Sequence, residues 1–194
     1  MNIIRDYIKH QGNLLICLSG LSGAGKTYNA KKLSKQLGLV YIDQDQFYKN
    51  PYDMPSVALS NGDVVTNWDC QEAIDLDKMN QIINENIGKG LIMSGFACRN
   101  DWFDQPINCQ IHLNINKTTC YQRRKEQFKD PIHQSEMIID ELVYPFYLKT
   151  LQQSQIDFTI DSNQKTNQTL DLLSNYISQH LHSHLKNKIM SNEI

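Results

Sequence analysis

Short apolar runs alternate along this chain with longer segments in which apolar residues recur every three or four positions. The short runs predict strands, and the periodic segments predict amphipathic helices. The predicted strands cover residues 13–18, 39–43, 91–94, 109–113 and 158–160. The predicted helices cover residues 26–37, 71–87, 117–128, 134–153 and 166–185, and Pro145 should kink or split the fourth of them.

The alternation of strands and helices predicts an α/β fold. Right-handed crossovers would give a three-layer α/β/α arrangement around a mostly parallel, five-stranded sheet. No internal repeat or long linker divides the chain, so residues 1–194 are expected to form one domain. Functional residues should follow the carboxyl ends of the strands. The polar stretch 49–66 could cover a substrate or be an ordinary surface excursion.

The charge of the chain is nearly balanced, with 21 acidic and 19 basic residues and a net charge of -2. This balance gives no general electrostatic footprint for nucleic acid or an anionic membrane, and it favours a small-molecule partner. No apolar run approaches the ~20 residues that span a bilayer, and no secretory signal is recognisable. The five cysteines lack CxxC spacing, which predicts reduced thiols in a cytoplasmic protein. The pattern is compatible with a monomer or a homodimer.

A phosphate-binding loop follows the first predicted strand. Residues 20–27 read GLSGAGKT and fit GxxxxGK[ST] between a strand and a helix, the context that the motif requires. In such a loop the backbone N–H groups surround the phosphates, Lys26 reaches the terminal phosphates and Thr27 binds Mg²⁺. This pattern predicts a P-loop NTPase fold that uses ATP and Mg²⁺. The predicted nucleotide contacts here are Gly20, Ser22, Gly23, Ala24, Gly25, Lys26, Thr27 and Tyr28.

A P-loop alone does not distinguish a kinase from a GTPase or a motor ATPase. No glycine of this chain has an aspartate three residues before it, and residues 116–119, NKTT, lack the acidic residue of an NKxD loop. Large oligomeric ATPases usually carry coupling arms or domains, for which 194 residues leave little room. The sequence therefore favours phosphoryl transfer to a small molecule.

Two aspartates lie at the end of the second predicted strand. Asp43 and Asp45 would point to the same side if the extended conformation persists, toward the nucleotide. An acceptor hydroxyl needs a carboxylate to orient it and take its proton, and Mg²⁺ prefers oxygen ligands. We interpret Asp45 as the catalytic base and Asp43 as a possible metal ligand. Either residue could instead cap a turn.

Trp68 and Asp69 form a second candidate pair. The indole could stack on a nucleobase while the carboxylate accepts hydrogen bonds from ribose hydroxyls. Asp69 and Glu72 also fit a capping box for the helix 71–87, which would explain the aspartate without a ligand. Spacing alone does not decide between these two interpretations.

Cations cluster on or beside the helix 117–128, namely Arg123, Arg124, Lys125 and Lys129. We interpret residues 117–133 as a lid over ATP, in which Arg123 and Arg124 contact the nucleotide and Arg124 offsets charge on the transferring phosphoryl group. A solvated basic helix face is the alternative. His180, His182 and His184 could suggest a metal site, but we expect no third or fourth ligand of suitable type nearby, and a closing amphipathic helix explains the histidines better.

Several segments together resemble the nicotinamide riboside kinases and, more distantly, the uridine kinases. They read SGLSGAGKT at 19–27, DQDQFYK at 43–49, NWDCQEAIDLDKM at 67–79, LIMSGF at 91–96, CYQRRK at 120–125 and VYPFYLK at 143–149. The resemblance implies transfer of the ATP γ-phosphate to the 5'-hydroxyl of nicotinamide riboside, which gives nicotinamide mononucleotide in NAD salvage.

The resemblance also implies roles for individual residues. It makes Asp45 the base and places Arg123 and Arg124 in the lid. It assigns Trp68 and Asp69 to the pyridine ring and ribose, with Phe128 as a second aromatic wall. Where these kinases usually have an acidic residue before Gly-Phe, this chain has Ser94, so a carboxylate of the magnesium site is missing. Ser94 can still bind a metal-bound water and Asp43 could compensate, so we predict weakened or altered metal use, or a shift in the preferred nucleotide or substrate. A uridine, cytidine or other nucleoside kinase, or a nucleotide-binding regulator with weakened catalysis, are the alternatives.

Overall fold

The structure, a computed structural model, describes residues 3–127, 135–163 and 166–192. Its strands are β1 Leu15–Gly20, β2 Val40–Asp43, β3 Ser56–Ala58, β4 Val64–Thr66, β5 Leu91–Ser94, β6 Cys109–Asn114 and β7 Phe158–Asp161. Its α-helices are α1 Ile3–Gln11, α2 Lys26–Leu37, α3 Leu76–Asn86, α4 Lys117–Gln127, α5 Glu136–Ile138, α6 Tyr144–Gln152 and α7 Thr166–Asn192. None of the helices within those described ranges combines the length and hydropathy that crossing a bilayer requires.

Five strands form a central sheet in the order β2-β5-β1-β6-β7, and every adjacent pair is parallel. The strand before the P-loop is therefore in the middle of the sheet. In β2 and β5, Asp43 lies opposite Ser94, and in β1 and β6, Ser19 lies opposite His112. This arrangement confirms the predicted three-layer α/β/α fold.

The residues of β1 are buried on both faces of the sheet, which explains its continuous apolar run. Ile16 and Leu18 belong to one core cluster, with residues from α1, α2 and α7. Leu15 and Cys17 point to the opposite face and belong to a second cluster, with residues from α3. The side chains alternate because successive residues of a strand face opposite sides of the sheet.

The third helix begins later than the sequence predicts. Residues 71–73 form a 3₁₀ turn, and α3 starts at Leu76 with Asp75 as its N-cap, whose side chain accepts from the Lys78 N–H at 3.0 Å. Backbone hydrogen bonds from Lys49 N to Ala73 O and from Asp75 N to Phe47 O tie this segment to the chain after β2. These tertiary bonds hold the backbone out of the helix, so Asp69 and Glu72 do not cap it.

Pro145 lies in the first turn of α6, directly after a π-helical turn at Ile139–Val143. Proline cannot donate to the carbonyl four residues earlier, and the wider turn accommodates that loss. The expected distortion therefore takes the form of a π-helical turn between α5 and α6. The pattern also missed α1, the β3-β4 hairpin inside the polar stretch 49–66, and the extension of α7 to Asn192.

Candidate active site

The P-loop connects the buried strand β1 to the first turn of α2. Gly23 and Gly25 have φ values of 81° and 83°, a left-handed conformation that glycine adopts without a side-chain clash. A Cβ on Gly20 would lie 2.3 Å from the Leu113 carbonyl oxygen, so that position also requires glycine. The backbone can therefore make the tight turn that exposes N–H groups to a phosphate.

Lys26 lies at the amino end of α2, where its Nζ donates to the Leu21 carbonyl at 3.1 Å. Burial lowers its pKa, an effect that the nearby Asp45 carboxylate partly opposes. Behind the loop, Ser19 Oγ lies 3.3 Å from His112 Nδ1, and His112 Nε2 lies 2.9 Å from the Tyr147 hydroxyl. Burial, and then the charge of Lys26, lower the pKa of His112 to about 4, so the imidazole is neutral at pH 7.

Arg123 and Arg124 extend from α4 toward the P-loop. Arg123 donates from Nη1 to the Gly23 carbonyl at 2.9 Å and from Nη2 to the Ser162 carbonyl at 3.1 Å. Arg124 is buried, whereas Lys125 on the same helix is exposed and pairs with Glu136 at 3.0 Å. The two arginines thus face the site, and the solvated basic face of the helix includes Lys125. Residues 128–133 of the predicted lid, which include Phe128 and Lys129, lie outside the described residues.

Asp43 ends β2, beside Ser94 at the end of β5. Its carboxylate accepts from the Tyr41 hydroxyl at 2.7 Å, from Ser94 Oγ at 3.3 Å and from the Asp45 N–H at 3.4 Å. The last bond makes Asp43 the N-cap of the 3₁₀ turn Gln44–Phe47. Asp43 therefore does cap a turn, and it also presents a carboxylate to the same cavity as Thr27.

Asp45 lies in this 3₁₀ turn, open to the cavity and near Lys26. Partial desolvation raises the pKa of its carboxyl, the Asp43 charge raises it further, and Lys26 lowers it. A carboxylate with a raised pKa accepts a proton more readily than an ordinary aspartate.

Trp68 and Asp69 come after β4, and both line the same cavity as the P-loop. The Trp68 ring meets Tyr48 edge to face, with ring centroids 5.3 Å apart and an interplanar angle of 81°. Burial raises the pKa of Asp69 to about 6, Arg124 and Lys26 lower it, and Asp45 raises it. Asp69 is thus a desolvated carboxylate held near two cations, with no helix to cap.

One cavity of about 1080 Å³ brings most of these residues together. Its lining includes the predicted residues Ser22, Gly23, Gly25, Lys26, Thr27, Tyr28, Asp43, Asp45, Trp68, Asp69, Ser94, Arg123 and Arg124. Gly20 and Ala24 do not line it, because Gly20 packs on Leu113 and Ala24 is buried beneath the loop.

Sequence reasoning missed an apolar part of the cavity wall. Val64 and Val65 from β4 contribute to it, with Phe96 after β5, Ile138 at the end of α5 and Leu142 in the π-helical turn. These residues carry no motif, and their positions depend on how the β3-β4 hairpin and the α5-α6 segment are placed. The turn of that hairpin is bound to the π-helical turn, since Ser60 donates to the Glu141 carboxylate from both its N–H and its hydroxyl.

The three histidines lie on α7, away from this cavity. His184 Nδ1 lies 2.5 Å from the Tyr7 hydroxyl and His182 Nδ1 lies 3.1 Å from the Ser178 carbonyl. His180 Nε2 lies 3.0 Å from the Asn108 carbonyl, and Cys109 and Asp157 are close enough to His180 for three ligand atoms to lie within 4.8 Å of one another. The expectation that His180 has no further possible ligands nearby was therefore wrong, although its ring nitrogens already have protein partners.

Comparisons with solved structures return P-loop kinases of small molecules. A sugar kinase from Janibacter sp. HTCC2649 is 16% identical with a TM-score of 0.55, covering 85% of this chain and 94% of that chain. A shikimate kinase from Bacteroides thetaiotaomicron is 16% identical with a TM-score of 0.56, covering 84% and 98%. Deoxyadenosine kinase from M. mycoides, solved with bound dATP, is 15% identical with a TM-score of 0.55, covering 84% and 98%. At such identities the likeness shows a shared fold.

A search of curated protein sequences gave no match. A family model described as an AAA domain, AAA_18, matches residues 16–143, which begin in β1 and end with the π-helical turn. The matched range includes the P-loop, the strand ends that line the cavity and the arginines of α4. Because this match covers more than half of the chain and includes the whole phosphate-binding site, the protein belongs to the AAA domain family AAA_18 and has the fold of the P-loop small-molecule kinases.

Proposed function

We propose that this protein is an ATP-dependent kinase that phosphorylates the 5'-hydroxyl of a riboside, with nicotinamide riboside as the first candidate. One observation carries the proposal: a single cavity is lined by a phosphate-binding loop, by a carboxylate near the P-loop lysine, and by an aromatic-carboxylate pair. These three groups match the three parts of the reaction, namely the phosphoryl donor, the reacting hydroxyl and the body of the acceptor.

The donor end consists of the P-loop and α4. Backbone N–H groups of the loop and the amino end of α2 would hold the ATP phosphates, and Lys26 would reach the terminal ones. Arg123 is already bonded to the Gly23 carbonyl, which keeps its guanidinium beside the loop. Arg124, buried in the same region, would offset charge on the transferring phosphoryl group.

The acceptor hydroxyl would bind at Asp45. As the hydroxyl oxygen forms a bond to the γ-phosphorus, its proton passes to the Asp45 carboxylate, and the bond to the β,γ-bridging oxygen breaks to release ADP. Asp69 would accept hydrogen bonds from the ribose hydroxyls, and Trp68 and Tyr48 would contact the base. Binding of the substrate would also exclude water from the reacting groups.

The residues near Thr27 suit a magnesium ion. Thr27, Asp43 and Ser94 line one part of the cavity and offer a carboxylate and hydroxyl oxygens, the ligand types that Mg²⁺ prefers, directly or through bound water. Held by these residues, Mg²⁺ would neutralise negative charge on the phosphate groups of the nucleotide.

The composition of the cavity wall favours a nucleoside-like acceptor over a sugar or a sugar acid. Val65, Phe96, Ile138 and Leu142 contribute apolar side chains to the wall of the cavity that Trp68 also lines. A planar base can bury its faces on such a surface, whereas the hydroxyl groups of a polyol would lose hydrogen bonds to water there. The apolar wall does not distinguish a pyridine ring from uracil or cytosine.

The test is Mg²⁺-dependent ADP release from ATP with nicotinamide riboside, uridine, cytidine, gluconate or no acceptor, with product masses recorded. We expect a phosphorylated riboside, and the preferred acceptor identifies the substrate. Asp45→Asn should lower turnover by about 100-fold or more, with ATP affinity nearly unchanged. Asp53→Asn, which changes an exposed carboxylate, is the matched control. Phosphorylation of gluconate alone would contradict the riboside proposal. ATP and riboside binding without turnover would instead support the regulator alternative.

A further inference from the structure

Tyr41 lies beneath the proposed metal site and takes no part in the proposed phosphoryl transfer. It is two residues before Asp43 on β2, so both side chains lie on the same face of the sheet. The register places Ser94 of β5 directly beside Asp43. Tyr41 does not line the cavity, whereas Asp43, Ser94 and Thr27 do.

The Tyr41 hydroxyl joins these three polar groups. It donates to Asp43 Oδ2 at 2.7 Å, it lies 2.9 Å from Ser94 Oγ, and its side chain also interacts with the Thr27 hydroxyl. The phenol has one O–H, which Tyr41 donates to Asp43. The Ser94 hydroxyl can therefore donate to the phenol oxygen, or to Asp43 Oδ1 at 3.3 Å. The Asp43 carboxylate is held at both oxygens, since Tyr41 donates to Oδ2 and the Asp45 N–H donates to Oδ1.

The Tyr41 ring is itself fixed in place. Its hydroxyl is bound on one side, and Lys31 Nζ of α2 lies 5.5 Å from the ring centroid. Of the two strand ends beside Thr27, β2 supplies a carboxylate and β5 supplies only the hydroxyl of Ser94. Of these two strand ends, only β2 therefore offers a negatively charged ligand to a metal ion held by Thr27. That ligand is the Asp43 carboxylate, which would bind directly or through water.

We propose that Tyr41 is a positioning residue that, together with Ser94, orients the Asp43 carboxylate toward the magnesium ion of the bound nucleotide. This inference rests on the proposed nucleotide site but not on the identity of the acceptor. Outer groups that orient a ligating carboxylate commonly change metal affinity by about 10- to 100-fold when removed. Asp43 would keep its bonds from Ser94 and from the Asp45 N–H, so the lower end of that range applies to Tyr41→Phe.

The test measures how strongly Mg²⁺ tightens ADP binding. ADP is titrated into the protein by calorimetry in EDTA and in Mg²⁺, and the ratio of the two Kd values is the metal factor. We expect Tyr41→Phe to lower the factor by about 10-fold with the Kd in EDTA unchanged, and Asp43→Asn to lower it at least as much. Tyr176→Phe is the matched control, because it removes a phenol that donates to the Asp157 carbonyl far from the P-loop.

A second variant separates positioning from damage to the fold. Adding Ser94→Asp to Tyr41→Phe supplies a carboxylate next to Asp43 and should restore most of the metal factor. An unchanged factor in Tyr41→Phe, or in Asp43→Asn, would overturn the inference, and so would a failure of Ser94→Asp to restore it. Absence of ADP binding in both buffers would refute the nucleotide site together with this inference. If Tyr41→Phe and Asp43→Asn lower the metal factor as expected but the wild-type protein phosphorylates no riboside, the acceptor proposal is refuted and this inference stands.

Discussion

Asp69→Asn should make the free protein more stable at neutral pH and should lower its affinity for the proposed riboside substrate. The pKa of the Asp69 carboxyl is raised from 3.8 to about 6, chiefly by burial, even though Arg124 and Lys26 oppose the shift. The folded protein therefore binds more protons than the unfolded chain between these two pH values. Stability falls as the pH rises through this window, and the loss is complete above about pH 6.

The size of the effect follows from the shift of about two units between the two pKa values. At 1.36 kcal/mol per unit, the ionised carboxylate costs up to about 3 kcal/mol at pH 8, relative to a protonated side chain. At pH 5 the same cost is roughly half as large, because most of Asp69 is then protonated in the folded state. Asparagine has nearly the same shape and no charge, so its stabilising effect should grow by about 1 kcal/mol between pH 5 and pH 8.

The assay is urea-induced unfolding of the wild type, Asp69→Asn and the exposed control Asp53→Asn at pH 5, 6, 7 and 8. Substrate binding should respond in the opposite sense, because an amide is a weaker acceptor for ribose hydroxyls than a carboxylate, and affinity should fall by about 10-fold or more. A difference in stability that does not vary with pH, or an Asp69→Asn protein that is less stable at pH 8 than the wild type, would refute the description of Asp69 as a desolvated carboxylate.

Two further predictions concern parts of the site that are held by backbone or tertiary contacts. Gly20→Ala would place a Cβ 2.3 Å from the Leu113 carbonyl oxygen. Thermal unfolding should therefore show that the free energy of unfolding falls by about 3 kcal/mol or more. An unchanged melting temperature would mean that β1 and β6 can move apart without cost. Glu141→Gln weakens the acceptor for Ser60 and should speed amide hydrogen exchange in the hairpin turn by about fivefold. Glu136→Gln is the control, because it alters an exposed ion pair with Lys125 and should leave that exchange unchanged.

The phosphate site was largely predictable from the sequence because its determinants are local. A buried strand, a glycine-rich turn and a helix occupy consecutive residues, and the positive φ values of Gly23 and Gly25 need no distant partner to explain them. The parallel sheet was equally accessible, since runs that are apolar at every position, such as β1, indicate burial on both faces.

The surroundings of Asp69 and Asp43 could not be predicted from spacing. Asp69 and Glu72 fit a capping box, and only the backbone bonds between residues 47–49 and 73–75 move the helix start to Leu76. Asp43 was one of two aspartates after a strand, and its bonds to Tyr41 and Ser94 exist because β5 lies beside β2 in that register.

The sequence by itself determined the order of the five central strands along the chain, the phosphate-binding loop and the residue types available at the ends of those strands. These features depend on hydrophobic periodicity and on backbone conformations set within a few residues. The tertiary structure alone decided that the β3-β4 hairpin meets the π-helical turn, that Val65 and Leu142 face one cavity, and that burial raises the pKa of Asp69. Such properties depend on contacts between segments far apart along the chain, whose distances no local pattern encodes.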